Sequence, residues 1–298
     1  MKLHESSSNT CLEGEASFNF SQFPGGFAVL MAVYHRDDPR ILGMAIDSVF
    51  MNSLLPNQFV LVVDGALSDE LETVLTKLQT RHLGKFEILR LSTNRGLAQA
   101  LNAGLKHITF PWVVRADADD LNLSHRFASL AALLKEQPSL KLMSSAILEV
   151  NADGVAIAAR MLPISDTAIR YFAKKRSPFN HMAVAYHRET VLACGGYPDV
   201  YLKEDYALWC RMLSSGILVA NSPDVLVHAT AGRDMYQRRG GWRYAKAEWA
   251  LQVIMVKCGL KNWPSACLDG LTRALVFLAP AGLRGFIYEN ILRTKINE

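Results

Sequence analysis

Val113-Val-Arg-Ala-Asp-Ala-Asp-Asp120 (VVRADADD) runs from β-forming apolar residues straight into three carboxylates within four positions. Like charges packed at the mouth of a half-buried strand repel one another and are costly without a cation. Two readings follow. The acids are hard oxygen ligands for Mg²⁺ or Mn²⁺, with substrate phosphates completing the coordination. Alternatively, Asp119 or Asp120 caps the helix that begins near Ser124 while the other acids are solvated.

Upstream of this stretch the chain alternates strand-like and helix-like segments. Phe27 to Tyr34 (FAVLMAVY) reads as a buried strand. Pro39 opens a helical pattern with Asp38 as N-cap and Ile41, Ala45, Ile46, Val49 and Phe50 on one face. Phe59 to Val63 is a second strand running into Asp64-Gly65, and Ser68 to Arg81 the next helix. Phe86 to Leu91, Leu97 to His107 and Trp112 to Ala116 continue the series as strand, helix and strand. Such alternation with short loops predicts a parallel, doubly wound α/β sheet, in which ligands bind outside the carboxyl ends of the strands. Asp64, Asp117 and the Tyr34-His35-Arg36-Asp37 turn all fall at those ends.

Downstream, Ser124 to Gln137 reads as a helix, after which the pattern changes. Leu142 to Val150 is extended, Asn151-Ala-Asp-Gly154 is a hairpin turn and Val155 to Met161 returns, so the sheet is expected to be mixed. From Trp242 onward only helices are expected, punctuated by Pro264 and Pro280.

Composition narrows the classes. With 298 residues, half of them hydrophobic, the chain can bury a large core. A net charge of +4 is too small and too dispersed for nucleic acid. It is uneven, however: Gly232 to Glu298 holds eleven Lys/Arg against five Asp/Glu. Five cysteines without CxxC spacing favour a reducing compartment. The first 25 residues lack the apolar stretch of a secretory signal and are expected to form a loose arm. No 18 apolar residues run together, which argues against a membrane-spanning helix.

Two further constellations carry chemistry. In Ser92-Thr-Asn-Arg-Gly-Leu-Ala-Gln-Ala-Leu-Asn-Ala-Gly104, Arg95 and Gly96 open a helix rich in small residues. A cation and free N–H groups at a helix N-terminus suit a pyrophosphate, although a permissive glycine at a plain helix start gives the same pattern. In Tyr201-Leu-Lys-Glu-Asp-Tyr-Ala-Leu-Trp-Cys-Arg211, Glu204 and Asp205 stand where a helix begins, as a general base or as complements to the helix dipole.

Taken in order, VLMAVYHRDDP, VVDG, NRGLAQALNAGL, RADADD and KEDYALWCR resemble the family-2 glycosyltransferases of the GT-A fold over about Phe27 to Thr230. Ser177-Pro-Phe-Asn-His-Met182, Ala193-Cys-Gly-Gly-Tyr197 and Asp234-Met-Tyr-Gln-Arg-Arg-Gly-Gly241 further resemble bacterial enzymes that build O-antigen and exopolysaccharide repeat units on polyprenyl diphosphate. The resemblance implies a Rossmann-like, doubly wound mixed sheet with a helical C-terminal extension. It divides the chain into an arm (1–25), a catalytic domain (26–232, with a nucleotide-sugar half to about 120 and an acceptor half from 121) and a basic amphipathic C-terminal region (233–298).

For the site, the resemblance implies that Tyr34, Asp64, Arg95, Gly96 and Asp117 bind the nucleotide-sugar, with Asp64 at the base and Arg95 and Gly96 near the diphosphate. Asp117 and Asp119 would hold Mn²⁺ or Mg²⁺, and Asp205, with Glu204 beside it, would be the base of an inverting displacement. Asn180 and His181 would contact the acceptor, although His181 packed on a loop is an equal reading. The partners implied are a UDP-sugar, glucose or galactose favoured, and a lipid-diphosphate-linked sugar, N-acetylglucosamine on undecaprenyl diphosphate. Two departures stand out: Val63 precedes Asp64 where many relatives have a second aspartate, and His228 fits only loosely the basic or histidine position after the last core strand.

Leu271, Leu275, Val276, Leu278, Leu283, Phe286, Ile287 and Ile291 lie among Arg273, Arg284, Arg293 and Lys295. That pattern suits either docking on an anionic membrane or packing on the catalytic domain. The first reading expects a cytoplasmic protein, peripheral on the inner face of the bacterial plasma membrane. The rival functions are a nucleotidyltransferase and a non-catalytic nucleotide-sugar-binding protein. The first lacks support in any Gly-rich phosphate loop, and the second has little need of a base.

Overall fold

The structure, a computed structural model, describes residues 22–82, 84–151, 153–230 and 240–278. Its first half follows the expected alternation closely: β1 (Phe27–Val33), α1 (Pro39–Phe50), β2 (Gln58–Asp64), α2 (Asp69–Arg81), β3 (Phe86–Leu91), α3 (Leu97–His107) and β4 (Trp112–Arg115). Local chemistry sets the helix starts. The Asp38 carboxylate accepts from the N–H groups of Arg40 and Ile41 ahead of Pro39 at the first position of α1, and the Ser68 hydroxyl caps α2. β1 is parallel to both β2 and β4, and β2 to β3.

Side-chain alternation assigns the two faces of the sheet. Phe27, Val29, Met31 and Val33 join Phe59, Leu61 and Val63 in a core covered by α1 and α2. Ala28, Leu30, Val60 and Val62 face the other way, against α3. Crossovers thus leave β1 on one face toward β2 and β3, then return on the other face to β4. The chain reverses its winding between β1 and β4, and the crevice at that reversal is where open α/β sheets bind ligands.

The second half makes the sheet mixed, as expected, by pairings between distant segments. It contains β5 (Leu121–Asn122), α4 (Arg126–Glu136), β6 (Leu140–Val150), β7 (Ala156–Arg160), α5 (Asp166–Phe172), a 3₁₀ turn (His181–Ala183), β8 (Ala185–His187), α6 (Arg188–Ala193), α7 (Glu204–Ser214) and β9 (Leu218–Thr230). The order across the nine strands is β3-β2-β1-β4-β8-β6-β9-β5, with β7 on β6. β8 is antiparallel to β4 and β6, and β9 is parallel to β6. The helix capping proposed for Asp119 or Asp120 does not occur, because α4 starts at Arg126 with His125 at the cap.

Phe23 already packs against Phe27 and Trp112, with ring centroids 4.7 and 5.8 Å away. The core therefore begins inside the span read as a loose arm; the rest of that arm, residues 1–21, lies outside the described residues. At the other end, α8 (Trp242–Lys257) and α9 (Trp263–Leu278) pack as a pair. α8 buries Ala247, Leu251 and Met255 against Tyr206, Ala207 and Cys210 of α7. The Asp234–Arg239 part of the third family-like motif and the leucine, arginine and lysine positions beyond Leu278 lie outside the described residues.

Gly104 fixes the depth of α3. A Cβ there would come closer than 3.0 Å to the buried side chains of Leu30 and Val62, so the helix lies directly on β1 and β2. Gly104→Ala should lower stability by about 1–3 kcal/mol through overpacking, read as a reduced urea midpoint at unchanged m-value.

Candidate functional site

A cleft of about 1340 Å³ opens at the carboxyl ends of β1, β2 and β4. Tyr34, Asp64, Arg95, Gly96, Asp117, Asp119 and Glu204 all line it. Segments separated by up to 170 residues in sequence are thus gathered at one rim by the winding of the sheet.

Each wall has its own local cause. Tyr34 begins the turn after β1, its N–H donating to Asp37 Oδ2 at 2.9 Å. Asp64 ends β2 and is 4 % exposed. Its carboxylate accepts from the N–H of Arg95 (2.7 Å) and of Gly96 (2.9 Å). Those two amides, expected to be free for a phosphate, are therefore given to Asp64. Gly96 at φ +85° makes the turn into α3, a conformation that L side chains rarely adopt. The Arg95 side chain stays exposed in the cleft.

At the end of β4 the three acids place carboxylate oxygens within 4.8 Å of one another. Two buried guanidinium groups offset part of their charge. Arg115, 2 % exposed, pairs with Asp117 at 2.6 Å. Arg126, fully buried at the start of α4, donates to the Arg115 carbonyl at 2.8 Å and to Asn122. Burial pulls the Arg126 guanidinium down to about 9 despite the favourable pull of Asp117 and Asp120. Removing one partner from such a buried group typically costs 3–5 kcal/mol, so both arginines belong to the frame of the site.

The acids remain under strain. Burial, then Asp117 and Asp37, push Asp119 up to about 6, although its side chain opens to the cleft. Burial, then Asp117 and Asp119, raise Asp120 well above the carboxylate range. Thr230, at the end of β9, braces both: its N–H donates to Asp120 Oδ1 at 2.8 Å and its hydroxyl to the Asp119 carbonyl at 2.5 Å. The other Asp120 oxygen is buried without a hydrogen-bond partner among the described residues. Hard oxygen donors, close spacing, disfavoured ionisation and an orphaned oxygen together fit a divalent cation.

Across the cleft, α7 begins with the paired acids. Glu204 lines the cleft wall, and burial followed by the charge of Asp205 pushes its carboxyl up to about 7. Asp205 is not on that wall. Its charge is felt by its neighbours Glu204 and Tyr206 and by the buried His181 and Tyr197.

Asn180 does not face the cleft either. It is 1 % exposed, and its amide donates to the carbonyls of Ser145 (2.8 Å) and Arg160 (3.4 Å). Contact with an acceptor is thereby corrected to a tie between β6 and β7 at the foot of the 3₁₀ turn. His181 Nε2 lies 3.1 Å from the Tyr197 hydroxyl, and burial holds its pKa below the usual histidine value. Its ring packs against those of Tyr197 and of Trp209 in α7. His228 lies inside β9, opposite Leu121 and Leu148, because the strand runs on to Thr230. Thr230, not His228, is the residue of β9 that reaches the acids.

Reading the sequence missed Arg115, Arg126 and Thr230. Arg115 carried a signal in plain view, a charged residue closing an apolar strand, whereas Arg126 and Thr230 are brought in only by tertiary structure. Arg243, on α8, also lines the cleft, its guanidinium 3.8 Å above the ring of Tyr201.

A mixed sheet whose strand-end acids face a helix opening on two carboxylates has the architecture of the GT-A glycosyltransferases. Solved structures bear out the fold. S. aureus TarS 1–349 in complex with UDP-GlcNAc superposes with a TM-score of 0.66 at 16% identity, over 91% of this chain and 76% of that one. The mannosyltransferase PcManGT from Pyrobaculum calidifontis, in complex with GDP-Man and Mn²⁺, gives 0.58 at 18% identity, over 89% and 85%.

The sequence profile of Glycosyl transferase family 2 matches residues 28–186, and the chain belongs to that family. It is 36% identical to the amylovoran biosynthesis glycosyltransferase AmsE of Erwinia amylovora, over 88% of this chain and 98% of the relative. It is 33% identical to the UDP-Gal:alpha-D-GlcNAc-diphosphoundecaprenol beta-1,3-galactosyltransferase of Escherichia coli, over 90% and 96%. Enzymes of this family are typically dependent on a divalent metal.

Proposed function

We propose that the protein moves a hexose, galactose or glucose, from a UDP-sugar to N-acetylglucosamine carried on undecaprenyl diphosphate, with inversion at the anomeric carbon. One observation carries this reading: Asp117 and Asp119 at the strand end, the Asp64-pinned Arg95–Gly96 turn and Glu204 at the start of α7 surround one cleft. The likeness to the galactosyltransferase acting on a diphosphoundecaprenol-linked sugar supports the choice of donor and acceptor.

In this reading Asp64, with lone pairs to spare beyond its two backbone bonds, meets the base of the donor, and Tyr34 borders the same pocket. Arg95 lies along the diphosphate. Asp117 and Asp119 would hold Mn²⁺ or Mg²⁺, with Asp120 completing the acidic wall behind them. A bound divalent cation supplies Lewis-acid compensation for the charge that collects on the departing nucleoside diphosphate. Asp205 accepts the proton of the acceptor hydroxyl as that oxygen attacks from the face opposite the leaving group, and Glu204 flanks it. Arg115 and Arg126 keep the acids in place.

A lipid-linked acceptor calls for access to a membrane surface. Among the described residues no helix is long and apolar enough to cross one. α9 nevertheless leaves Leu268, Leu271, Leu275 and Leu278 exposed at helical spacing. That stripe supports peripheral docking on the inner face of the plasma membrane. Arg273 is not part of its basic rim, since its guanidinium is spent on Glu248 and on the carbonyl of Lys175.

The test is a turnover screen with Mn²⁺, a panel of UDP-sugars and lipid-diphosphate-linked N-acetylglucosamine, products being read by mass spectrometry. The expected product gains one hexose, and the gain disappears with a chelator and returns with added metal. Cleavage of the donor between its phosphates, or metal-dependent binding without turnover of any donor on the panel, would overturn the proposal.

A further inference from the structure

The three residues ahead of Glu204 are held in an unusual way. Leu202 has φ +54°, the one non-glycine residue with positive φ among those described, and Lys203 follows as the cap of α7. A leucine in the left-handed region persists only where its surroundings over-determine it.

The residue after it is held by the C-terminal helices, outside the part of the chain that the family profile matches. The Lys203 side chain is buried, its ammonium 2.7 Å from Glu248 Oε2 and 4.4 Å from the centre of the Tyr244 ring. Glu248 is fully buried on α8. Its other oxygen accepts from Gln252 at 2.7 Å and pairs with Arg273 of α9 at 3.2 Å. Lys261 extends the chain of contacts to Gln252 (3.0 Å) and Asp269 (2.6 Å).

An apolar pair would bind α8 to α7 at least as strongly, because burying two charges offsets much of their attraction. What the ion pair adds is a single geometry for the Lys203 backbone. That backbone N–H donates to the Val200 carbonyl at 2.9 Å, closing the turn that leads directly into Glu204.

We propose that Lys203 and Glu248 form a positioning clamp through which α8 fixes the start of α7, and with it the placement of Glu204 and Asp205 relative to the cleft. The clamp rests on the reading of Glu204 and Asp205 as the deprotonating pair. It acts at the chemical step and not on donor binding, since neither side chain lines the cleft.

Lys203→Met tests it. Glu248 keeps Arg273 and Gln252 in this variant, so the buried carboxylate is still partnered, and a melting curve taken first checks that the variant is folded. The expected result is a fall in kcat of roughly ten- to a hundredfold with KM for the UDP-sugar changed less than about twofold. Lys203→Arg should recover most of the loss. In parallel, deuterium uptake at the amides of 202–206 should accelerate while β1 to β4 stay protected.

Unchanged uptake at 202–206 overturns the clamp, whatever the activity. Faster uptake with unaltered kcat overturns its catalytic part, and uptake rising throughout α8 and α9 reduces Lys203 to a stabilising residue. Wild-type protein that transfers no sugar overturns the functional reading instead, and the exchange measurement on its own then decides whether the tie exists.

Discussion

Asp119→Ala is expected to lower turnover about a thousandfold or more, some 4 kcal/mol of transition-state stabilisation, while the protein stays folded. The side chain opens to the cleft from the end of β4. Burial and two neighbouring acids already push its carboxyl up to about 6, so its removal relieves repulsion. The variant should accordingly melt no lower than the wild type. Mn²⁺ should raise the wild-type melting temperature, as any ligand of the folded state does, and leave the variant's nearly unchanged. Retained turnover in the variant would remove Asp119 from the proposed metal site, and a collapsed melting curve would mean that its role is structural.

Asp205→Asn carries the second large effect, a loss of about 10² to 10⁴ in kcat with little change in KM for the donor. Glu204→Gln should cost less. The comparison is sharp because Glu204 borders the cleft and its neighbour Asp205 does not. A larger loss in Glu204→Gln would exchange the two roles. The same variant has a signature in stability. Glu204 stands at about 7 in the folded protein against an ordinary 4.5. Between those values the folded state holds a proton that the unfolded chain has released, so stability falls as pH rises through that window. Glu204→Gln should flatten this part of the denaturation profile, and an unaltered slope would remove Glu204 as its source.

The chain from β1 to β4 could be read to within a residue or two because its information is local. Strands are apolar runs, helices carry caps such as Asp38 and Ser68, and each segment is bounded by its own turn. The second half could not be read so fully. β8 is three residues long and pairs with strands tens of residues away. β9 is interrupted around Pro223, where its register against β6 shifts between Ser145 and Ala146. The strand accordingly runs on past His228, and it is Thr230 that meets the acids.

The candidate site divides along the same line. Its acids stand in short motifs at strand and helix ends, where position alone marks them. Their supports are long-range: Arg126 reaches back to the Arg115 carbonyl, and Lys203 meets Glu248 forty-five positions later. Asn180 shows the converse, a polar residue beside a histidine in a family-like motif that proves to be buried between two strands.

The Arg95–Gly96 turn is held before any ligand arrives: Asp64 grips its amides, and Gly104 seats the helix behind it on the sheet. Ordering of this loop is thus completed during folding, and an incoming anion meets a surface with little conformational entropy left to lose. Affinity at this wall is set by charge and fit. Loosening the turn, as an Asp64→Asn exchange would, should appear as a more unfavourable binding entropy even where every contact to the ligand is retained.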